Sequence, residues 1–297
     1  MIAERQQIKT QRHIPTLLQV AGWEARRYRA NPSSWRLLLI VLGLFLLVTW
    51  LAHHPVNVGF GSGTTQINYQ FSGTSAYGMV ILLFTFSFLL ALLLPLLSSG
   101  GVARDVKYRT HELLMTTPVP TWAYVTGRYL CCLLASVGMA LLMLVAILLM
   151  GFLFHLIEPN YLAPQVDAVL GIWAVAILPM TILISSLSFA LGTLIPRHAN
   201  LAALGVVVAW YLPTLVLLFI PASGFQLPLW YKTWEPTNIG MSSVLQAPYQ
   251  SGIDNIMQTL SASPTAMNGQ STVSALQALE QKMPDLLPLL GPHLVWC

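Results

Sequence analysis

The chain has 297 residues, of which 56% are hydrophobic and 8% charged, with a mean hydropathy of +0.68. Soluble globular domains carry about 25% charged residues, so this composition excludes that class and makes lipid the natural solvent. The net charge of +4 does not point to nucleic acid, because the dense clusters of Lys and Arg fall in the N-terminal segment and the connection after the second apolar run.

Residues 1–34 are polar and basic for too long to be a cleavable signal peptide, and no small-residue cleavage site follows the first apolar run. Within them Ile14, Leu17, Leu18, Ala21, Ala25 and Tyr28 recur every three or four residues, with Arg26, Arg27 and Arg29 beside them and Gln19 and Glu24 on other faces. This pattern predicts an amphipathic helix lying in a membrane interface. Asn31-Pro32 should stop it, since the residue before proline avoids the helical region. Ser33 or Ser34 can cap the next helix, with Trp35 at headgroup depth.

Five long apolar runs follow, at about residues 36–52, 77–98, 122–156, 168–195 and 200–220. None holds Asp, Glu or Lys, and the only arginines are Arg36 at an edge and Arg128 in an entry turn. About 20 such residues cross ~30 Å of hydrocarbon. The expected fold is therefore an all-α polytopic membrane protein with a transmembrane domain over residues 35–220. The third run exceeds the need and must tilt or protrude.

The connections differ in charge. Arg5, Lys9, Arg12, Arg26, Arg27, Arg29 and Arg36 precede or open the first run. Arg104, Lys107, Arg109 and Arg128 lie after the second, and Arg197 after the fourth. Residues 53–76 and 157–167 contain no Lys or Arg. The positive-inside rule then places the N-terminus in the cytoplasm, with its basic residues toward anionic lipid headgroups, in an inner (plasma) membrane.

Residues 53–76 are uncharged, and Gly59-Phe60-Gly61-Ser62-Gly63 is expected to be a loop. His53, His54 and His155 lack fixed spacing and a carboxylate partner, so no metal site is expected. Cys131 and Cys132 are neighbours and Cys297 is terminal, which makes no disulfide framework. In the fourth run Thr181, Ser185 and Ser188 form a small polar stripe just after Pro179, suited to helix packing or, less simply, to a substrate path.

Beyond the fifth run, residues 221–236 mix Phe225, Trp230, Tyr231 and Trp234 with Pro and Gly, as short helices dipping into the outer interface would. Residues 246–284 are polar and should hold two short helices, around 253–260 and 273–283. By parity of spans, residues 221–285 lie outside the cell. Residues 286–297 would reach only about 18 Å as a helix, so they are expected to be the start of a sixth span that is cut short.

The stretch between the second and third runs has a pattern of its own. Val102, Val106, Leu113 and Leu114 can share one side of a short helix over about 102–117. Thr116-Thr117-Pro118-Val119-Pro120 ends it, and Thr121 can cap the next span. Glu112-Leu113-Leu114-Met115-Thr116-Thr117-Pro118-Val119, with Tyr124, Gly127 and Arg128 at the mouth of a long span, resembles the signature of type-2 ATP-binding-cassette permeases. The likeness extends over most of the chain. It is most specific between Asp105 and Tyr124, although Arg109-Thr110 stands where many members have Gly-Thr.

The resemblance implies the transmembrane subunit of an ATP-driven exporter. The segment after the second span would be a coupling helix docked on a cytoplasmic ATPase, through Glu112, Leu113, Leu114, Thr117 and Pro118. It also implies a second permease subunit, in a homodimer or a heterodimer, and family members have six spans. No G-x-x-x-x-G-K-[ST] and no Gly-Lys pair occurs, so ATP chemistry would belong to the separate subunit. The chain itself is expected to be no enzyme and to need no cofactor. The alternatives are a non-transporting scaffold or assembly subunit, and an ion-coupled secondary transporter. The spans lack the ionisable groups that the latter usually carries.

Overall fold

The computed structural model describes residues 19–52, 58–60, 67–69, 71–100, 120–158, 161–219, 228–235, 237–262, 269–286 and 291. These are helical except for turns, connections and one short ladder. Helix α1 (Gln19–Ala30) meets the following helix at 75°. That second helix, α2, covers Pro32–Ala52. It starts ahead of the expected caps Ser33 and Ser34, because proline at the first helical position has its φ preset and no N–H to satisfy. The Trp35 indole donates to the Arg29 carbonyl across the bend at 2.9 Å.

After α2, strands β1 (Val58–Phe60) and β2 (Ile67–Tyr69) pair antiparallel, with Val58 opposite Tyr69 and Phe60 opposite Ile67. The expectation of a loop at Gly59-Phe60 is thus corrected. β-branched and aromatic residues flank the glycine, and pairing supplies partners for the backbone.

Helix α3 covers Ala76–Ser98. Ser75 caps it: Gly78 N–H donates to Ser75 Oγ at 3.0 Å, and Ser75 Oγ donates to the Ser72 carbonyl at 2.7 Å. Helix α4 covers Thr121–Ile157, 37 residues, or about 56 Å at 1.5 Å per residue. Thr121 is its first helical residue rather than its cap, and the Pro120 carbonyl accepts from the N–H groups of Ala123 and Tyr124. A continuous helical run, α5, spans Val166–Leu194. Its start two residues earlier than expected brings Asp167 into the first turn, where a carboxylate suits the helix dipole. Trp173–Ile177 forms a π-turn. Pro179 follows it, and a proline with no N–H to give the preceding turn favours such widening.

A short 3₁₀ turn, Pro196–His198, leads to α6 (Ala199–Phe219). Three of these helices are long and apolar enough to cross a membrane, namely α3, α4 and α5, or four if the bent α1–α2 pair forms one span. Large apolar side chains stand exposed along them, such as Ile40, Leu96, Leu134 and Leu194, as a lipid-facing surface requires.

Helix α7 (Leu229–Trp234) is one of the short helices expected after the fifth run. Helix α8 covers Ile239–Ala262 and α9 covers Gly269–Glu280. The two short helices expected at 253–260 and 273–283 are thereby corrected. The first begins fourteen residues earlier and runs through Pro248. Packing overrides the lost N–H there, because Leu245 and Tyr249 on either side are buried, and the Tyr249 hydroxyl donates to the Lys282 carbonyl. Residues 287–290 and 292–297, most of the expected sixth-span start, lie outside the described residues.

The chain divides into two compact units. The first comprises Met1–Val41, Leu89–Ala140 and Thr181–Leu212; the second comprises Leu42–Phe88, Leu141–Met180 and Pro213–Cys297. In the first, Ser98 and Ser136, both fully buried, share a hydrogen bond of 3.2 Å between α3 and α4. Gly192 of α5 packs so closely there that a Cβ would lie 2.3 Å from the Ser99 carbonyl oxygen. In the second, the Tyr161 hydroxyl lies 3.1 Å from Thr74 N and 3.0 Å from Thr74 Oγ1. Glu280 accepts from Ser72 N–H, which ties the end of α9 to the cap of α3. Leu276 of α9 is the centre of a small core with Phe71, Ile253, Ile256, Met257 and Val273.

Candidate functional site

The expected coupling residues Glu112, Leu113, Leu114, Thr117 and Pro118 lie outside the described residues. The described structure resumes at Pro120, and eight residues later α4 carries a buried cation. Arg128 Nη1 lies 2.5 Å from Glu24 Oε1 of α1, with side chains only 2% and 7% exposed. The guanidinium also sits 5.2 Å from the ring centre of Tyr124 and 5.9 Å from that of Trp23. Arginine suits such a place, since its planar, weakly hydrated cation can pair with a carboxylate while stacking on aromatic faces. One turn on, Cys131 Sγ is 3.1 Å from the Ala21 carbonyl oxygen. Helix α1 is thus held at the base of α4, while Arg26, Arg27 and Arg29 remain exposed.

The stripe residues Thr181, Ser185 and Ser188 are all buried. The Ser185 hydroxyl donates to the Ile182 carbonyl at 3.1 Å and the Ser188 hydroxyl to Ile184 at 2.6 Å. Both therefore satisfy themselves on their own helix. The cross-helix bond comes from a neighbour off the stripe: Ser186 Oγ lies 2.7 Å from the Tyr129 hydroxyl of α4.

A third polar cluster forms where α7 turns into α8. Glu235 is 3% exposed. Its carboxyl accepts from Thr237 N–H at 2.7 Å and from Gly240 N–H at 2.9 Å. Burial pushes its pKa up to about 7, against the opposing pull of the N–H groups of Gly240, Thr237 and Ile239. Asn238 adopts the left-handed conformation with φ of 65°. Its amide Nδ2 reaches Ser87 Oγ of α3 at 3.0 Å, and the Ala176 carbonyl and Met180 Sδ of α5 at 3.3 Å each. Ser87 is the twelfth of the 23 residues of α3, so the turn meets that helix halfway along. Gly240 is required for the close fit, because a Cβ there would lie 2.6 Å from the Lys232 carbonyl oxygen.

A family model described as ABC-2 family transporter protein matches residues 13–296. The chain belongs to that family. No curated protein gives a significant match. The permease is accordingly a multi-pass membrane transport protein, and the apolar helices α3, α4 and α5 agree with that class. Among the described residues no group of three or more His, Cys, Asp or Glu could hold a metal ion.

Two of these clusters were not evident in the sequence of the permease. The sequence pattern puts Glu24 on a polar face of α1, yet it is buried against Arg128. The available signal was its place between Trp23 and a run of arginines, opposite an arginine in an otherwise apolar span. Glu235 falls in the stretch 221–236 that reads as aromatic and interfacial, and Asn238 lies two residues beyond it. A lone acid between Trp234 and Pro236 was the sole clue.

Proposed function

We propose that the permease is the transmembrane subunit of an ATP-driven exporter and works with a separate cytoplasmic ATPase and a second permease subunit. Membership of the ABC-2 family over residues 13–296 is the observation that carries this reading. The lack of any Gly-Lys pair supports it, since a phosphate-binding loop must then come from another chain. Residues 102–117 act as the coupling helix, with Glu112, Leu113, Leu114, Thr117 and Pro118 in contact with the ATPase. Nucleotide binding closes the ATPase pair and moves this helix, and through it the spans, between two packings.

In this arrangement five helices cross the membrane, at about 36–52, 77–98, 122–156, 168–195 and 200–220. Residues 1–34 lie in the cytoplasmic interface, residues 221–285 face the other side, and 286–297 open a sixth span. The membrane is the inner (plasma) membrane and the N-terminus is cytoplasmic, which the concentration of Lys and Arg in three connections favours. Thr181, Ser185 and Ser188 serve helix packing, as their burial and own-helix hydrogen bonds favour. The test is Glu112→Arg in the full chain. Loss of the co-purifying ATPase is the expected result, and unchanged co-purification would refute the coupling assignment.

A further inference from the structure

We propose that Glu235 is a proton-binding site: as the neutral acid it seals the α7–α8 turn against α3 and α5, and once ionised it releases that turn. Three costs gather on three residues, Glu235, Thr237 and Asn238. Glu235 is buried with no compensating cation among the described residues, since only burial and backbone N–H groups act on it. Asn238 is held at positive φ, which disfavours an L-residue. Two buried side-chain oxygens, Thr237 Oγ1 and Asn238 Oδ1, have no hydrogen-bond partner among the described residues. Strain and unmet polar groups gathered at one point mark a place that changes state rather than one that only packs.

The chemistry of the set selects a proton. Asn238 Oδ1 can only accept a hydrogen bond, and Thr237 Oγ1 has lone pairs free. An ionised carboxylate in the same turn offers acceptors only, so it can take the Thr237 hydroxyl proton but gives Asn238 Oδ1 nothing. Protonation creates one O–H donor at Glu235 and removes the buried charge at the same time. The titratable and charged side chains on the elements the turn touches are Tyr231 and Lys232 of α7, Tyr249 and Asp254 of α8, Tyr77 of α3 and Asp167 of α5. None of them enters the balance at Glu235. Release of the turn would free Asn238 from Ser87, Ala176 and Met180, and so would loosen its grip on both helices halfway along α3. The proposal does not depend on the ATPase reading, because it concerns only a proton and this turn.

The test uses the full-length permease in lipid nanodiscs. Amide exchange at Thr237, Ile239 and Gly240 is followed between pH 6 and 8.5 and corrected for the intrinsic pH effect. The expected result is exchange about tenfold faster per pH unit above neutrality, the factor that one unit of proton affinity confers, and a flat profile in Glu235→Gln. Infrared titration of the unmodified protein gives a readout that does not rely on the variant folding. A buried neutral carboxyl band should vanish with a midpoint near neutrality. Flat exchange in the unmodified protein, an unaltered profile in Glu235→Gln, no carboxyl band titrating above pH 6, or dependence on sodium at fixed pH would each overturn the proposal.

Discussion

Arg128 and Glu24 form a buried ion pair at 2.5 Å, which joins a span to a helix that precedes the whole bundle in sequence. Arg128 lies seven residues into α4, directly after the segment expected to meet the ATPase. The base of α4 and helix α1 are thus tied by a contact enclosed by Trp23 and Tyr124.

Removing one partner of such a pair strands the other charge. Glu24→Ala is expected to destabilise the permease by about 3–5 kcal/mol. Replacing both, as Glu24→Leu with Arg128→Met, should recover most of that loss. Denaturant unfolding of the single and double variants in micelles measures the difference. Simple additivity of the two single losses would show that the pair is not coupled.

Gly192 sets the distance between α5 and the Ser99 turn. A methyl group there must move backbone, because the clash of 2.3 Å is with a carbonyl oxygen. Gly192→Ala should cost about 1–3 kcal/mol as an overpacking change. Gly138, whose added Cβ would meet nothing within 4 Å, is the control, and Gly138→Ala should leave stability unchanged or slightly raised. Thermal melting of both variants separates the cases.

At Asn238 the backbone and the amide can be tested apart. Asn238→Gly keeps the positive φ and loses the bonds to Ser87, Ala176 and Met180. Asn238→Ala loses the bonds and also bears the left-handed penalty, about 1–2 kcal/mol. Alanine should therefore be the less stable of the two by roughly that amount. Equal stability would mean that the turn relaxes to negative φ.

Stability should also depend on pH through Glu235. Its folded pKa, about 7, lies above the ordinary value of 4.5. The folded state therefore holds the proton more tightly, and this stabilisation is complete below pH 4.5 and is lost as pH rises through 7. Melting temperature should fall between pH 6 and 8, and Glu235→Gln should flatten that decline. A variant that falls just as steeply would assign the dependence to another group.

The apolar runs were legible because a bilayer demands about 20 uncharged residues in succession, and few other environments do. Helices α3, α4 and α5 match the expected limits within two residues at either end. The π-turn at Trp173–Ile177 was not legible, since Pro179 alone is equally compatible with a kink. The early start of α8 was hidden by Pro248 and a polar composition, which lower helix propensity until packing of Leu245 and Tyr249 is known. The Asn238–Ser87 bond joins residues 151 apart in sequence. Nothing local in an apolar span marks Ser87 as its partner. The coupling residues were recognisable only as a resemblance.

The side of the membrane on which residues 110–120 lie tests the account most directly. In a background with Cys131, Cys132 and Cys297 replaced by serine, Thr116→Cys is exposed to an impermeant thiol reagent in intact spheroplasts and in inverted vesicles. Labelling is expected in the inverted vesicles alone. Labelling from the outer face of intact spheroplasts would contradict it, because a cytoplasmic ATPase could not then reach the segment.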